Sequence, residues 1–194
     1  MLKDKLKNYK ITLASGSPRR QQFFRELGLD FEILLKEVEE IYPENLQGVE
    51  ITNFLALLKA SAFDNDINEN EIVITSDTIV WLDNKALGKP KDFNHALEML
   101  LQMAGKTHEV ITSVCFKTAS KMDILNCITK VTFSQITEKE IRYYLDVFKP
   151  FDKAGSYGIQ EWIGLIGISR IEGSYTNVVG LPTEMVFNYL KNLE

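Results

Sequence analysis

The 194-residue sequence contains only two cysteines, Cys115 and Cys127, and two histidines, His95 and His108. This set cannot form a histidine-rich metal centre, and no Cys/His spacing fits a zinc site. Basic residues are also fewer than acidic ones, since the chain has 22 lysines and arginines and 27 aspartates and glutamates. The resulting net charge of −5 argues against a nucleic-acid-binding protein, which needs a basic face. A small anionic ligand is not excluded, because local cations can outweigh a weak overall field.

Long apolar runs are also absent, and no stretch reaches the length of a membrane-spanning helix. The amino terminus carries Lys3, Asp4, Lys5 and Lys7, which is too much charge for a secretory signal peptide. We therefore expect a cytoplasmic protein that binds neither membrane nor nucleic acid. In that reducing compartment, the two cysteines are expected to be buried thiols rather than a disulfide.

Helical and strand patterns alternate along the chain, and one hairpin interrupts the alternation, which predicts an α/β fold with a mixed sheet. Predicted strands cover Tyr9–Ser15, Phe31–Leu35, Ile72–Ser76, Thr78–Leu82, Lys85–Leu87, the hairpin His108–Thr118 with Met122–Ser134, and Trp162–Ile171. Predicted helices run from Ser17 to Gly28, over about Glu50–Asp64, from Asp92 to Gly105, from Thr137 to about Phe148, and onward from Pro182. The segment Gly173–Gly180 is interpreted as a loop or edge strand. The length fits one large domain or two small lobes that share a cleft.

One predicted helix begins directly after a short strand, with Ser17 as its N-cap, Pro18 at its first position and Gly28 past its end. A helix amino terminus attracts anions through its free N–H groups and the positive end of its dipole. Arg19 and Arg20 oppose that dipole, so the pair makes sense if an anion binds there. The alternative is a well-capped helix with two solvated arginines, and the motif alone does not decide between them.

Asp77 follows the apolar run Ile72–Ser76 and is predicted to end a buried strand and to point into a cleft. The carboxyl ends of strands are where α/β proteins place ligands. A carboxylate there could accept a proton from water or hold Mg²⁺ during phosphate-ester hydrolysis. The alternative is an aspartate that caps a turn.

Other polar residues are ambiguous singly. Lys59 lies on a predicted helix and Lys89 lies between Gly88 and Pro90, and each is commonly a surface cation. With the arginine pair, however, they would match the charge of a triphosphate. Glu40 belongs either to a solvated acidic loop or to a metal site. Gln160 ends a loop that contains two glycines, and its amide could read the edge of a base.

Taken together, these motifs resemble the Maf proteins, nucleoside triphosphate pyrophosphatases that cleanse the nucleotide pool. The resemblance runs from about Ile11 to Leu190, and five blocks in the same order carry it. The blocks are Leu13–Arg20, Lys59-Ala60, Ser76–Val80 with Gly88-Lys89-Pro90, Asp152–Gln160, and Gly173–Pro182. It implies a two-lobed α/β domain over residues 1–194, with an elongated mixed sheet flanked by helices and a central cleft.

The resemblance also implies roles for particular residues. It implies hydrolysis of a nucleoside triphosphate to the monophosphate and pyrophosphate with a divalent cation, Mg²⁺ or Mn²⁺/Co²⁺, and a homodimer. Asp77 is similar to the family's general base, and Glu40 to a carboxylate near the metal, which Asp77 would also contact. The residues similar to the phosphate-binding set are Ser17, Arg19, Arg20, Lys59 and Lys89.

Arg19, Thr78 and Gln160 are similar to the family branch that acts on dTTP and UTP, and a modified pyrimidine nucleotide is a further candidate substrate. The chain departs from the family's usual residues at Ser76, at Ser156 and at Glu161-Trp162-Ile163, and the last departure bears on the base pocket. Two rival interpretations stay open. One is a non-catalytic nucleotide-binding protein that regulates septum formation, and the other is a metal-dependent phosphatase that releases phosphate.

Overall fold

The computed structural model describes residues 2–64 and 67–193. In this part of the chain the helices are α1 (Leu2–Lys5), α2 (Pro18–Glu26), α3 (Val49–Ser61), α4 (Phe93–Met103), α5 (Glu138–Phe148), α6 (Trp162–Gly167), α7 (Tyr175–Val179) and α8 (Thr183–Lys191), with a short 3₁₀ turn at Ala154–Ser156. The strands are β1 (Lys10–Leu13), β2 (Glu32–Ile33), β3 (Glu71–Leu82), β4 (Lys85–Leu87), β5 (Thr107–Lys117), β6 (Met122–Phe133) and β7 (Ile168–Glu172). None of these helices is long and apolar enough to cross a membrane.

Within the described residues, the strands form one seven-stranded sheet in the order β2-β1-β3-β5-β6-β7, with β4 paired to β3. Strand β1 pairs in parallel with both β2 and β3, whereas β4 and β7 pair antiparallel with β3 and β6. The predicted mixed α/β fold is therefore confirmed. The predicted hairpin is confirmed too, since Thr118 N donates to Lys121 O at 2.9 Å in the turn between β5 and β6.

The chain divides into two compact units. The first contains Met1–Asp77, Thr112–Cys127 and Gly180–Glu194, and the second contains Thr78–Ile111 and Ile128–Val179. The first unit has a core built around Leu13, Phe24 and Phe116, and the second has a core built around Leu100, Phe133 and Tyr144. The single two-lobed domain expected over residues 1–194 stays a prediction.

Helix starts follow their sequence signals closely. Ser17 caps α2, Asp92 caps α4 by accepting from His95 N at 2.8 Å, and α5 opens with a full capping box between Thr137 and Glu140. A cap side chain replaces the backbone partner that a first-turn N–H lacks, so the residue type itself marks the boundary. The predicted starts of these helices are confirmed.

Two predictions near the carboxyl terminus are wrong. Trp162–Ile171 is not one strand, because α6 occupies its first part and β7 begins only at Ile168. A Cβ at Gly164 would collide with the Ile159 carbonyl, so a glycine is what lets α6 lie against that backbone. The segment Gly173–Gly180 is not a loop or strand either, since it contains α7 between two glycines with positive φ.

The prediction that Asp77 ends a strand is also wrong. Strand β3 continues through Asp77 to Leu82, because its second half pairs antiparallel with β4 from Val80 onward. What ends before Asp77 is the parallel pairing with β1, whose last partner on β3 is Ile74. Asp77 thus lies three residues past Ile74, the last residue of β3 that pairs with β1. The predicted pair of buried thiols needs correction too, because Cys115 is buried but Cys127 is only half-buried; neither is joined in a disulfide.

Candidate functional site

The first unit holds the predicted anion-binding turn between β1 and α2. Ser17 Oγ accepts from Arg20 N at 3.5 Å, and Ser15 Oγ accepts from Ser17 N at 3.3 Å. Gln21 Nε2 donates to Ser15 O at 3.2 Å and so closes the turn from the helix side. The turn is therefore fixed by its own side chains, with Gly16 exposed at its tip. A rigid turn of this kind presents helix N–H groups without a further ordering cost.

Arg20 is held more firmly than the sequence suggested. Its Nε donates to Gly180 O at 2.8 Å, and its Nη1 donates to Ser76 O at 2.8 Å and to Ser15 Oγ at 3.5 Å. Burial lowers the pKa of the Arg20 guanidinium, and the nearby carboxylates of Asp77 and Glu40 oppose that change. The group keeps its charge, since arginine is not deprotonated in proteins. Arg20 thus fixes the residue that precedes Asp77 as well as supplying a cation.

Asp77 forms an ion pair with Lys59, whose Nζ lies 2.7 Å from Asp77 Oδ1 and 3.1 Å from Glu40 Oε2. The Lys59 and Asp77 side chains are only 16% and 11% exposed, which makes this pair much less screened than a surface ion pair. Lys59 is therefore no surface lysine, although its helix pattern allowed that interpretation. Four of the predicted site residues, Glu40, Lys59, Asp77 and Arg20, meet in one charged cluster.

A second contact within the first unit joins α3, which carries Lys59, to β3, which carries Asp77. Thr75 Oγ1 donates to Ala56 O at 2.7 Å and joins β3 to α3. Ala56 lies three residues before Lys59, and Thr75 lies two residues before Asp77 on the strand. This buried contact fixes the backbone of α3 against that of β3, the two elements that carry the ammonium and the carboxylate.

Two carboxylates of the same cluster bear on a divalent cation. Among the described residues, no group of three or more His, Cys, Asp or Glu is placed to hold a metal. Glu40 and Asp77 nevertheless both reach one cationic atom, Lys59 Nζ, with carboxylate oxygens. Mg²⁺ is commonly held by one or two carboxylates, with water and substrate phosphates completing its six ligands. These two residues therefore fit a magnesium ion that arrives with a phosphate substrate.

The second unit carries Thr78, Lys89 and Gln160. Thr78 is half-buried on β3, directly after Asp77, whereas Lys89 and Gln160 are exposed. Lys89 follows β4, and the neighbouring Gly88 O accepts from Gly155 N at 3.0 Å, which fastens this segment to the loop that leads to Gln160. Lys89 and Gln160 are thus surface groups on anchored loops, whereas Thr78 lies on a strand.

Two residues of the second unit, Tyr157 and His108, are buried in its core. Tyr157 is buried, and its hydroxyl is 2.8 Å from Nε2 of the buried His108. Burial lowers the pKa of His108 to about 4, so the ring is neutral at physiological pH. Tyr157 therefore packs beneath its loop and does not stack on a base. His95 on α4 is half-buried and accepts from Lys91 N at 3.2 Å through Nδ1.

Sequence reasoning gave no positioning role to the residues that hold the predicted ones in place. These are Ser15 and Gly180 around Arg20, Thr75 beside Asp77, and Tyr144, Lys153 and Glu161 around the loop that ends at Gln160. Their signal in the sequence is weak, because hydroxyls and main-chain carbonyls occur everywhere. Only Glu161 departs visibly from its surroundings, since an acidic residue there precedes an apolar run.

The chain is similar to proteins of known name over nearly its whole length. A family model described as "Maf-like protein" matches residues 10–193. A protein named "dTTP/UTP pyrophosphatase" from Flavobacterium psychrophilum is 66% identical over 99% of this chain and 98% of its own. A protein of the same name from Flavobacterium johnsoniae is 62% identical over the full length of both chains. Another, from Phocaeicola vulgatus, is 48% identical over 98% of this chain and 99% of its own.

Among solved structures, the Staphylococcus aureus Ham1 protein matches with a TM-score of 0.55. The match covers 94% of this chain and 98% of that one at 15% identity. At this identity the likeness concerns the fold alone, and it agrees with the mixed sheet described above.

Proposed function

Because this chain belongs to the Maf family, we propose that it hydrolyses dTTP and UTP to the nucleoside monophosphate and pyrophosphate. The observation that carries the proposal is the charged cluster in which the largely shielded Asp77 and Lys59 meet Arg20 and the exposed Glu40. A phosphoanhydride hydrolase needs cations for the phosphates and a carboxylate for water, and this cluster contains both. The names of close relatives support the choice of dTTP and UTP, and modified pyrimidine nucleotides are further candidates.

Asp77 is proposed to accept a proton from the water that attacks a phosphorus of the triphosphate chain in line with the departing group. Its position on β3 is fixed from both sides, through Lys59 at its carboxylate and through Arg20 at the preceding carbonyl. A fixed base loses little entropy when the water docks, which is one source of rate enhancement. General-base catalysis of this kind contributes roughly 10²–10⁴-fold.

The phosphates would be bound by the amino terminus of α2, with Ser17, Arg19 and Arg20, and by Lys59. Lys59 also keeps Asp77 and Glu40 paired, so a triphosphate would not meet two uncompensated carboxylates. Lys89 is proposed to add a further cation. These groups oppose the negative charge that grows on the departing pyrophosphate.

A divalent cation, Mg²⁺ or Mn²⁺/Co²⁺, is proposed as the cofactor, and Asp77 and Glu40 are the residues that would hold it. When bound, it would neutralise phosphate charge and polarise the bond that breaks. The protein's own contribution is to bring the two carboxylates to one position, where both contact Lys59 Nζ.

Base selection is assigned to Gln160, with Arg19 and Thr78 as supporting residues. Gln160 is exposed at a turn, and its side-chain amide offers one acceptor and two donors. The 4-carbonyl and the N3–H of uracil or thymine present the complementary acceptor and donor. We also propose that the protein acts in the cytoplasm and cleanses the nucleotide pool.

A homodimer is proposed through β7, the strand that ends the described sheet order. An edge strand can pair with a copy of itself. If two β7 strands pair antiparallel about Ile171, Arg170 lies opposite Glu172 of the other copy, so their charges are complementary. Ile171 and the neighbouring Leu165 are exposed apolar residues that such an interface would cover.

The function is tested by incubating the purified protein with Mg²⁺ and a panel of canonical and modified nucleotides, and by measuring both pyrophosphate and phosphate. We expect equimolar monophosphate and pyrophosphate, with dTTP and UTP as the preferred substrates. Release of phosphate with a diphosphate product would instead indicate a phosphatase. Binding with no product at all would support a non-catalytic nucleotide-binding protein of cell division.

A further inference from the structure

The loop that ends at Gln160 is closed by a buried polar contact of three side chains. Glu161 Oε1 is 3.0 Å from Lys153 Nζ, and Glu161 Oε2 accepts a short hydrogen bond from Tyr144 OH. Lys153 and Glu161 are 11% and 19% exposed, and Tyr144 is fully buried. Lys153 lies at the start of the loop and Glu161 at its end, so this contact, here called the Glu161 clasp, joins the two ends.

The clasp also holds the main chain directly beside Gln160. Tyr144 OH accepts from Gly158 N at 3.0 Å, and Glu161 N donates to Gly158 O at 2.9 Å. Gln160 therefore lies inside a tight turn whose first residue, Gly158, is fixed at both its N–H and its C=O. A Cβ at Gly158 would lie 2.8 Å from the carboxyl carbon of Glu161, so the glycine leaves the space that the carboxylate occupies.

The direction of the Glu161 side chain is informative. Glu161 is the N-cap residue of α6, yet its side chain makes no capping hydrogen bond. An acidic residue at this position would ordinarily turn toward the helix and its free N–H groups. Here the carboxylate contacts Lys153 and Tyr144 on α5 instead, so contacts that hold the loop replace the capping contact with α6.

We propose that Glu161 is a specificity-determining positioning residue, which holds Gln160 in the orientation that reads the base while touching no substrate itself. The proposal rests on the proposed function, because it concerns the base selection assigned to Gln160. An exposed glutamine on a loose turn would sample many rotamers and would discriminate bases poorly. The Glu161 clasp removes main-chain freedom on both sides of that residue.

The test compares kcat and KM for dTTP and dCTP in Glu161→Ala, Glu161→Gln, Tyr144→Phe and the wild type. We expect the ratio of kcat/KM for dTTP to that for dCTP to fall about tenfold in Glu161→Ala, because hydrogen bonds to a charged group are lost. The loss should appear mainly as a higher KM for dTTP. Glu161→Gln keeps an acceptor for Tyr144, so it should recover part of the ratio, and Tyr144→Phe should resemble Glu161→Ala.

The matched control is Glu138→Gln, which removes a carboxylate from an exposed ion pair with Arg142 on α5. Its substrate ratio should equal that of the wild type. An unchanged ratio in all three clasp variants, or an equal loss for both nucleotides, would overturn the proposal. If Glu161→Ala does not fold, Glu161→Gln and Tyr144→Phe decide the result.

Failure of the proposed function has a different signature, since the wild type would then release no pyrophosphate from any triphosphate. In that case calorimetry with non-hydrolysable thymidine and cytidine triphosphate analogues decides the proposal. A thymidine preference that weakens in Glu161→Ala and Tyr144→Phe but not in Glu138→Gln supports the clasp. A preference that is absent from the wild type, or equal in all variants, rejects it.

Discussion

The two units differ in how exposed their proposed site residues are. In the first unit, the Lys59 and Asp77 side chains are largely shielded and are held at short distances by fixed partners. In the second unit, Lys89 and Gln160 are exposed, and only the backbone that carries them is anchored. Charged groups for chemistry gain from low solvent access, whereas groups that recognise a base must be available to it. The difference predicts that changes in the first unit alter the rate and that changes in the second alter selectivity or assembly.

The largest effect is expected from Asp77→Asn, which keeps the shape of the side chain but removes its charge. Turnover should fall by roughly 10²–10⁴-fold, since the proton acceptor is lost. Pyrophosphate release measures this, and the circular dichroism spectrum and thermal midpoint show whether the fold is kept. Asp83→Asn is the matched control, because Asp83 is an exposed carboxylate paired with Lys106. Turnover within a few-fold of the wild type would reject Asp77 as the base.

A smaller effect is expected from Arg20→Lys, which keeps the charge but loses the planar fork that reaches Ser76 O and Gly180 O. Loss of about 2 kcal/mol of charged hydrogen bonding should lower the thermal midpoint by about 4–8 °C. We also expect turnover to fall about tenfold, because the strand that carries Asp77 is held less firmly. Arg25→Lys is the control on the same helix, at an exposed position. If Arg20 acted only through its charge, the midpoint of Arg20→Lys would not change.

The smallest effect on rate is expected from Arg170→Glu in β7. In the proposed dimer this substitution places two glutamates opposite each other, so sedimentation velocity should show a shift toward monomer. The double reversal Arg170→Glu with Glu172→Arg should restore the dimer. Turnover per chain should stay within about twofold, as for an ordinary surface substitution. A wild-type protein that is monomeric at all accessible concentrations would reject the β7 interface.

Much of the fold could be predicted because local signals mark it. Ser17 and Thr137 mark helix starts through contacts that span only three residues. The regions that were misread depend on contacts outside the misread segment instead. Helix α6 forms where Gly164 can pack on the Ile159 carbonyl, and β3 continues past Asp77 to pair with β4. Strand β4 was predicted, but the pattern did not show that Ile72–Ser76 and Thr78–Leu82 form one strand.

The candidate site divides in the same way. The family resemblance identified Asp77, Lys59 and Arg20, and the structure brings these residues together. It could not show that Arg20 also binds two main-chain carbonyls, because a carbonyl carries no sequence signal. The roles assigned to these three residues, and those assigned to Glu40, Ser17, Arg19, Thr78, Lys89 and Gln160, stay predictions.

The hydrogen bond from Thr75 to the Ala56 carbonyl has a consequence for how this enzyme can change over evolution. Since it joins the helix that supplies the ammonium to the strand that supplies the carboxylate, a mutation that shifts either element in the interior is expected to move the groups proposed to react. Core substitutions in the first unit are therefore expected to lower activity before they prevent folding. New substrates should arise more readily through the loops of the other half.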